Sequence, residues 1–207
     1  MNLSNPVRAL VPILLFISAT AVAVEEADYV VTEQDGRFEI RDYAPQVVAE
    51  VVVSGDRESA GSDAFEPLFD YISGGNHAKQ KIAMTAPVSQ QSAGEKIAMT
   101  APVSQQRSGN DWAVSFMMPA GRTLDNLPAP TNPSVVLREI PRQRVAAIRY
   151  SGTWSEQRYD HYRAKLEAWL DERDLMASGP AVWARYDPPF MPWFMRRNEI
   201  LIPLAGT

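Results

Sequence analysis

The chain has 207 residues, a hydrophobic fraction of 45%, a charged fraction of 22% and a formal net charge of −5. These values are typical of a globular protein with one domain, and they argue against a disordered chain and a multi-span membrane protein. The acidic balance argues against nucleic acid as a partner, because nucleic-acid-binding domains carry a basic face. The absence of cysteine excludes disulfides, covalent c-type haem attachment, thiolate haem ligation and cysteine zinc sites.

The first 23 residues have the layout of a secretory signal peptide. Arg8 precedes an apolar run over residues 9–19, and the small residues Ala21-Val22-Ala23 follow it. Cleavage is predicted after Ala23. The alternative, an uncleaved membrane anchor, is disfavoured because the run is shorter than the ~20 apolar residues that span a bilayer and because Pro12 interrupts it.

The predicted mature protein is residues 24–207, with the folded domain over residues 28–204. Cleavage removes one arginine and no acidic residue, so 19 basic and 25 acidic residues leave a net charge of −6. We expect an exported protein, periplasmic or secreted, without a stable membrane span after cleavage.

Strand-like segments, rich in β-branched and aromatic residues, recur along the mature chain and are separated by Gly, Pro and Asp breaks. They cover residues 29–32, 38–43, 47–53, 112–118, 134–140, 145–150, 181–186 and 198–204. Two helices are predicted between them, so the order is strands, helix, strands, helix, strands. This order predicts an α+β fold with mostly antiparallel pairing.

Each predicted helix has an apolar stripe and sequence signals at its ends. The first begins near a capping box formed by Asp63 and Glu66 and ends at Gly74-Gly75. The second begins at Ser155 and ends before Ser178-Gly179-Pro180. The stripe of the first helix is Phe65, Leu68, Phe69 and Ile72, and that of the second is Tyr159, Tyr162, Leu166, Trp169 and Leu170.

A tandem repeat lies between the first helix and the strand at Trp112. The eleven residues 81–91, KIAMTAPVSQQ, recur without change as residues 96–106. Two copies do not make a solenoid, which needs at least three repeats. We expect the first copy to occupy the sheet and the second to extend the hairpin.

Several segments, in order, resemble the SOUL haem-binding family, and together they cover nearly all of residues 28–204. They are Phe38-Glu39-Ile40-Arg41-Asp42-Tyr43, residues 71–76, the doubled KIAMTAPV, Phe116-Met117-Met118-Pro119, Leu127-Pro128-Ala129-Pro130, Tyr150-Ser151-Gly152, Tyr186-Asp187-Pro188-Pro189 and Arg196-Arg197-Asn198-Glu199.

The resemblance implies a twisted antiparallel sheet, curled toward a distorted barrel, with two pseudo-symmetric halves that each carry one flanking helix. It also implies non-covalent binding of haem or another tetrapyrrole in a hydrophobic cleft beside the first helix and the loop before the last strand. Carried over to this sequence, the helix contributes Phe65, Leu68, Phe69 and Ile72, and the loop contributes Phe190, Met191, Trp193, Phe194 and Met195.

The loop at residues 190–195 is unusual on physical grounds as well. It concentrates large apolar side chains between prolines, where loops are normally polar. Methionine and aromatic side chains suit a flat apolar macrocycle, and Arg196 or Arg197 would donate hydrogen bonds to its propionates. The alternative is that the segment packs into the protein's own core and that the arginines pair with Glu199 or other acids.

Few side chains are available as haem iron ligands. His77 is near the first helix in the sequence and is the candidate, although a solvated loop histidine is the alternative. His161 is predicted to be a surface residue on the second helix. Some relatives carry histidine where this chain has Asp42, which argues against strong axial ligation, and Met191 or Met195 would ligate weakly.

No catalytic motif is present: there is no G-x-S-x-G, no phosphate-binding glycine loop and no H-E-x-x-H. The predicted function is therefore exported, non-enzymatic binding of a tetrapyrrole, for sequestration, buffering or transfer. Two alternatives stay open. In the first, the domain binds another apolar small molecule. In the second, it has lost haem binding and contacts a partner through the aromatic loop.

Overall fold

In a computed structural model, the described residues are 24–78 and 94–206. The predicted signal peptide and the first repeat copy lie outside them. Within these ranges there are two helices, α1 (Arg57–Ser73) and α2 (Glu156–Asp171), and thirteen strands. The strands are β1 (Glu25–Glu26), β2 (Tyr29–Asp35), β3 (Phe38–Tyr43), β4 (Gln46–Val53), β5 (Asn76–His77), β6 (Thr100–Ala101), β7 (Val103–Ser108), β8 (Asp111–Met117), β9 (Ala129–Pro130), β10 (Val136–Ile140), β11 (Gln143–Tyr150), β12 (Val182–Arg185) and β13 (Asn198–Pro203).

Nine of these strands form one antiparallel sheet in the order β10-β4-β8-β7-β12-β13-β11-β3-β2. The sheet curls into an open half-barrel, and both helices lie on one of its faces. Helix α1 packs on β4 and β8, whereas α2 packs on β11 and β13. The predicted α+β fold, with one helix for each half of a curled antiparallel sheet, is confirmed.

Helix α1 begins six residues before the predicted capping box at Asp63. Asp56 caps it instead, since its carboxylate accepts a hydrogen bond of 2.9 Å from the backbone N–H of Ser59. Because the helix starts earlier, Pro67 lies in its interior and not in its first turn. The buried side of α1 contributes Ala64, Leu68, Tyr71 and Ile72 to a core with the strands beneath.

Helix α2 begins where the sequence predicts. Ser155 is its N-cap, and its hydroxyl accepts a hydrogen bond from the backbone N–H of Arg158. The buried stripe packs on Ile148, Ile200 and neighbouring strand residues to form a second core. Trp169 stacks on Phe38, with ring centroids 5.1 Å apart. No helix within residues 24–78 and 94–206 is long and apolar enough to cross a membrane.

The second repeat copy, and not merely a hairpin extension, lies in the sheet. Its residues 103–106 form most of β7, which pairs with both β8 and β12. A turn of two residues, Gly109-Asn110, connects β7 to β8. Closing a short loop costs less conformational entropy than closing a long one, and this favours the second copy in the sheet. The prediction that the second copy merely extends the hairpin is therefore wrong, because this copy is itself a strand of the sheet. The prediction that the first copy occupies the sheet concerns residues outside those described.

Gln105 of the second copy is buried and joins the two halves. Its side-chain amide donates a hydrogen bond of 2.7 Å to the carbonyl of Arg57 in α1. Its carbonyl oxygen accepts one of 3.3 Å from Arg185 in β12. The two copies are offset by 15 residues, from Lys81 to Lys96. Because strand side chains alternate between faces, sliding the strand by this odd number would turn the face that carries Gln105 away from α1.

A charged cluster fills the end of the opposite sheet face. The carboxylate of Glu199, fully buried, accepts hydrogen bonds from Arg41 at 2.6 Å, Arg197 at 3.0 Å and the hydroxyl of Tyr186 at 3.0 Å. Burial raises the pKa of Glu199, but the bonds and charges of the two arginines outweigh burial and hold it below its ordinary value. Removing this acid would take the fully buried partner from both arginines and leave them their more exposed partners, Glu39 for Arg41 and Glu26 for Arg197.

The repeat supplies a matched pair of variants for the role of Gln105. We expect Gln105→Ala to lower the free energy of unfolding by about 1–3 kcal/mol, because it leaves a buried carbonyl without its donor. Gln90→Ala, the same change in the first copy, should change it by less than about 0.5 kcal/mol. Urea unfolding of both variants measures this, and destabilisation by Gln90→Ala without destabilisation by Gln105→Ala would show that the first copy holds the sheet position.

The charged cluster predicts an acid-dependent stability. Since the folded-state pKa of Glu199 is lower than its unfolded value, its stabilisation is complete above the ordinary carboxyl range and is lost as pH falls below it. Glu199→Gln should lower the free energy of unfolding by about 3–5 kcal/mol at pH 7, and by less in acid. Denaturant unfolding at several pH values checks this against Glu139→Gln, an exposed control. A pH-independent difference would contradict it.

Candidate functional site

The segment between β12 and β13 is an ordered loop held by its own hydrogen bonds. Tyr186 donates its backbone N–H to the carbonyl of Arg197, and the backbone N–H of Arg197 reaches the carboxylate of Asp187 at 2.5 Å. Within the loop, Met191 and Met195 close two turns by donating to Pro188 and Pro192. The prolines and these bonds fix the loop without using its large side chains.

Those large side chains point into solvent. Trp193 and Phe194 contact each other edge to face, with ring centroids 5.6 Å apart and planes at 88°. The alternative that the segment packs into the core is therefore wrong for four of its side chains. They are Phe190, 84% exposed, Trp193, 55%, Phe194, 61%, and Met195, 62%. Met191 is partly buried.

The two arginines that follow the loop have separate roles. The side chain of Arg197 pairs with Glu26 at 2.8 Å and with Glu199 at 2.9 Å, as the alternative proposed. Arg196 donates to the carbonyls of Met191 at 2.7 Å and Pro189 at 2.5 Å, so it holds the loop from inside. Both predicted propionate partners are thus engaged within the protein.

The predicted residues of α1 separate into two groups. Leu68 and Ile72 are buried in the first core and support the helix from beneath. Phe65 and Phe69 lie at the exposed edge and stack on each other at 5.7 Å, with an angle of 11° between their planes. Phe65 also contacts Phe116 of β8 at 5.5 Å. Only the two phenylalanines therefore present an aromatic surface to solvent.

Strand register places this aromatic pair and the loop beside a common floor. On the helix side of the sheet, one row runs across five strands: Phe116, Val103, Arg185, Asn198 and Tyr150. Residues directly opposite each other share a face, and adjacent strands lie about 4.8 Å apart. The backbone of Arg185 is thus roughly 10 Å from the backbone of Phe116, whose ring contacts Phe65.

Trp154 forms the other side of this floor. Its indole N–H donates to the side-chain oxygen of Asn198 at 2.9 Å. The guanidinium carbons of Arg185 and Arg196 lie 5.3 Å and 4.5 Å from its ring centroid. Trp154 consequently links the floor to the loop, and we call the whole area the helix–loop surface. It comprises Phe65, Phe69, Val103, Trp154, Arg185 and residues 190–195.

Sequence reasoning did not identify Arg185. Its guanidinium lies against Gly61 of α1, where an added Cβ would stand 2.7 Å from one of its nitrogens. Burial, together with the charge of nearby Arg57, lowers the pKa of Arg185 to about 10. The available signal was a lone cation in a predicted core strand, Ala181-Val182-Trp183-Ala184-Arg185-Tyr186.

His77 follows the C-terminal end of α1, whereas Arg185 lies near its N-terminal end. His77 is exposed on the short β5–β9 ladder that follows the helix. Gly61, beside Arg185, and Ser73 are separated by about 18 Å along the helix axis. Within residues 24–78 and 94–206 no group of three His, Cys, Asp or Glu side chains is placed to hold a metal ion. Iron ligation by His77 stays a prediction.

Two cavities lie away from the helix–loop surface. One, of about 130 Å³, opens on the sheet face opposite the helices and is lined by Tyr43, Gln46, Gln106, Gln143 and Tyr186, among others. The other, of about 280 Å³, lies beside α2 at Arg163 and Glu167. Ligand pockets usually enclose about 300–1,000 Å³, so neither cavity suits a macrocycle.

Two solved structures share the fold. A hydrolase from Listeria innocua is 13% identical, with a TM-score of 0.56 that covers 84% of this chain and 94% of that chain. The EcmrR C-terminal domain is 12% identical, with a TM-score of 0.55 that covers 82% of this chain and 98% of that domain. At this identity the likeness concerns the fold alone.

Sequence comparison is more specific. Human "Heme-binding protein 2" is 42% identical over 76 residues, which are 34% of this chain and 37% of that protein. The match therefore spans little more than a third of that relative. The family model described as SOUL heme-binding protein matches residues 24–203, nearly the whole described chain. That is a family of binding proteins, and the chain belongs to the SOUL heme-binding protein family.

Proposed function

We propose that the protein binds haem or a related tetrapyrrole, reversibly and without a covalent bond, on the helix–loop surface. The observation that carries this proposal is the group of exposed apolar side chains in an ordered loop, Phe190, Trp193, Phe194 and Met195. Soluble proteins rarely leave such a patch uncovered unless it binds something. The stacked Phe65 and Phe69 provide a second aromatic wall across the floor.

Planar stacking explains why this surface suits a macrocycle. Aromatic and methionine side chains contact a flat apolar ring over a large area and tolerate its shape. Met191 and Met195 also offer thioether sulfurs, which are weak iron ligands. Because the loop backbone is fixed by Arg196 and the prolines, little ordering entropy is lost on binding.

We place the protein outside the cytoplasm as part of this proposal. Support comes from the sequence of residues 1–23, in which a basic residue, an apolar run and a small-residue triplet follow one another. A cysteine-free exported domain would serve to sequester, buffer or transfer a tetrapyrrole. This role needs no catalytic group, in keeping with the binding function for which the family is named.

The direct test is a haemin titration of residues 24–207, followed by Soret absorbance and tryptophan quenching. We expect saturable one-to-one binding. Trp193→Ala with Phe194→Ala should weaken it at least about tenfold, since each exposed ring contributes contact area. Phe69→Ala should also weaken it, because the second aromatic wall is lost.

The control is a double variant with exposed apolar residues elsewhere, Val136→Ala with Met176→Ala. It should bind haemin as the unaltered protein does. Equal loss in both double variants would indicate non-specific adsorption, and no saturable binding would reject the proposal. In that case another apolar ligand, or a partner protein at the aromatic loop, becomes the favoured occupant.

A further inference from the structure

The guanidinium of Arg185 makes fewer hydrogen bonds than it has donors. A guanidinium has five N–H donors. Within the described residues Arg185 makes one hydrogen bond, of 3.3 Å, to the side-chain oxygen of Gln105. Its Nε is buried and has no acceptor. Its other neighbours are the rings of Trp183 and Trp154, at 5.0 Å and 5.3 Å, and the backbone of Gly61.

The charge of Arg185 has no acid partner in the described part of the chain. No Asp or Glu side chain in residues 24–78 and 94–206 forms an ion pair with Arg185. A second cation, Arg57, shares this environment, since its guanidinium lies 5.3 Å from the same Trp183 ring. Arg57 is itself paired only with exposed acids, Glu156 at 3.3 Å and Asp160 at 3.9 Å. The positive charge of Arg185 is therefore an excess that no ion pair among the described residues balances.

Such an excess is unfavourable in the free protein. A buried cation without a carboxylate loses hydration and gains no charge partner. The same protein neutralises Arg41 and Arg197 with Glu199 on the other face of the sheet. Arg185, in contrast, is partly buried, with its Nε fully buried, and pairs with no acid of the described residues on the surface where a ligand would lie.

The position of Arg185 matches the geometry of an acidic ligand. It lies in the floor, between Phe116, which supports the α1 aromatic wall, and Trp154, which supports the loop. A flat ring held between the Phe65–Phe69 pair and the loop at residues 190–195 would direct a carboxylate at its edge toward the guanidinium of Arg185. Arg196 and Arg197 are less suited to this role, because Arg196 already binds two loop carbonyls and Arg197 already pairs with Glu26 and Glu199.

We infer that Arg185, supported by Arg57, is the carboxylate-binding subsite of the helix–loop surface, and that the natural ligand is a flat apolar molecule with a free carboxylate. This inference rests on the proposed function and makes it more specific. It requires the surface to distinguish an acid from its neutral ester by a charge-assisted hydrogen bond at Arg185.

The test compares haemin with haemin dimethyl ester on three proteins: the unaltered residues 24–207, Arg185→Met and Arg142→Met. Arg142 is an exposed arginine between β10 and β11 and serves as the control. Haemin affinity should fall about 10- to 100-fold for Arg185→Met and should not change for Arg142→Met. The ester should bind the unaltered protein about as weakly as haemin binds Arg185→Met, and should not distinguish the variants.

Stability in the absence of ligand gives a second readout. Removing an unpaired buried charge while retaining side-chain length should leave the melting temperature of Arg185→Met equal to or above that of the unaltered protein. A strong decrease would show that Arg185 serves the fold. If that variant does not fold, the comparison of haemin with its ester on the unaltered protein still tests whether the surface recognises a free carboxylate.

The outcomes separate this inference from the proposed function. Equal binding of haemin and its ester, or equal haemin affinity of Arg185→Met and the unaltered protein, would overturn the role of Arg185 while tetrapyrrole binding stands. Absence of saturable binding for both compounds would overturn both. Selective loss of the acid in Arg185→Met, with retained ester binding, would establish the subsite.

Discussion

The pairing of β7 with β12 joins the half of the sheet under α1 to the half under α2, and the rest of the structure depends on it. Four residue pairs make this join, from Val182 opposite Gln106 to Arg185 opposite Val103. Gln105 adds a side-chain link, because it bridges the first turn of α1 and Arg185. One strand pair therefore fixes the sheet, the position of α1 and the floor of the helix–loop surface.

The two faces of the sheet use arginine in opposite ways. On the face away from the helices, Glu199 neutralises Arg41 and Arg197 and so ties β3, β13 and the N-terminal segment together. On the helix face, Arg185 has an amide and aromatic rings as neighbours but no acid among the described residues. The first arrangement stabilises the protein by itself, whereas the second is completed by an anionic ligand.

Local patterns made most of the secondary structure predictable. Alternation and β-branched residues located the eight long strands other than β7, within a few residues, and Ser155 marked the start of α2 correctly. The start of α1 was misplaced because Asp56, and not Asp63, caps it. Two identical copies offer identical local signals, so the sequence could not assign the position in β7, which the tight turn at Gly109-Asn110 favours.

By itself, the sequence determined the fold class, the family resemblance and the unusual apolar loop, since these depend on composition, periodicity and motif order. Only the tertiary structure decided which predicted side chains reach solvent: it buried Leu68 and Ile72 and exposed Phe65 and Phe69. It also engaged Arg196 within the loop and left Arg185 without an acid partner in the described chain. Burial and charge pairing depend on strand register between distant segments, which local sequence does not encode.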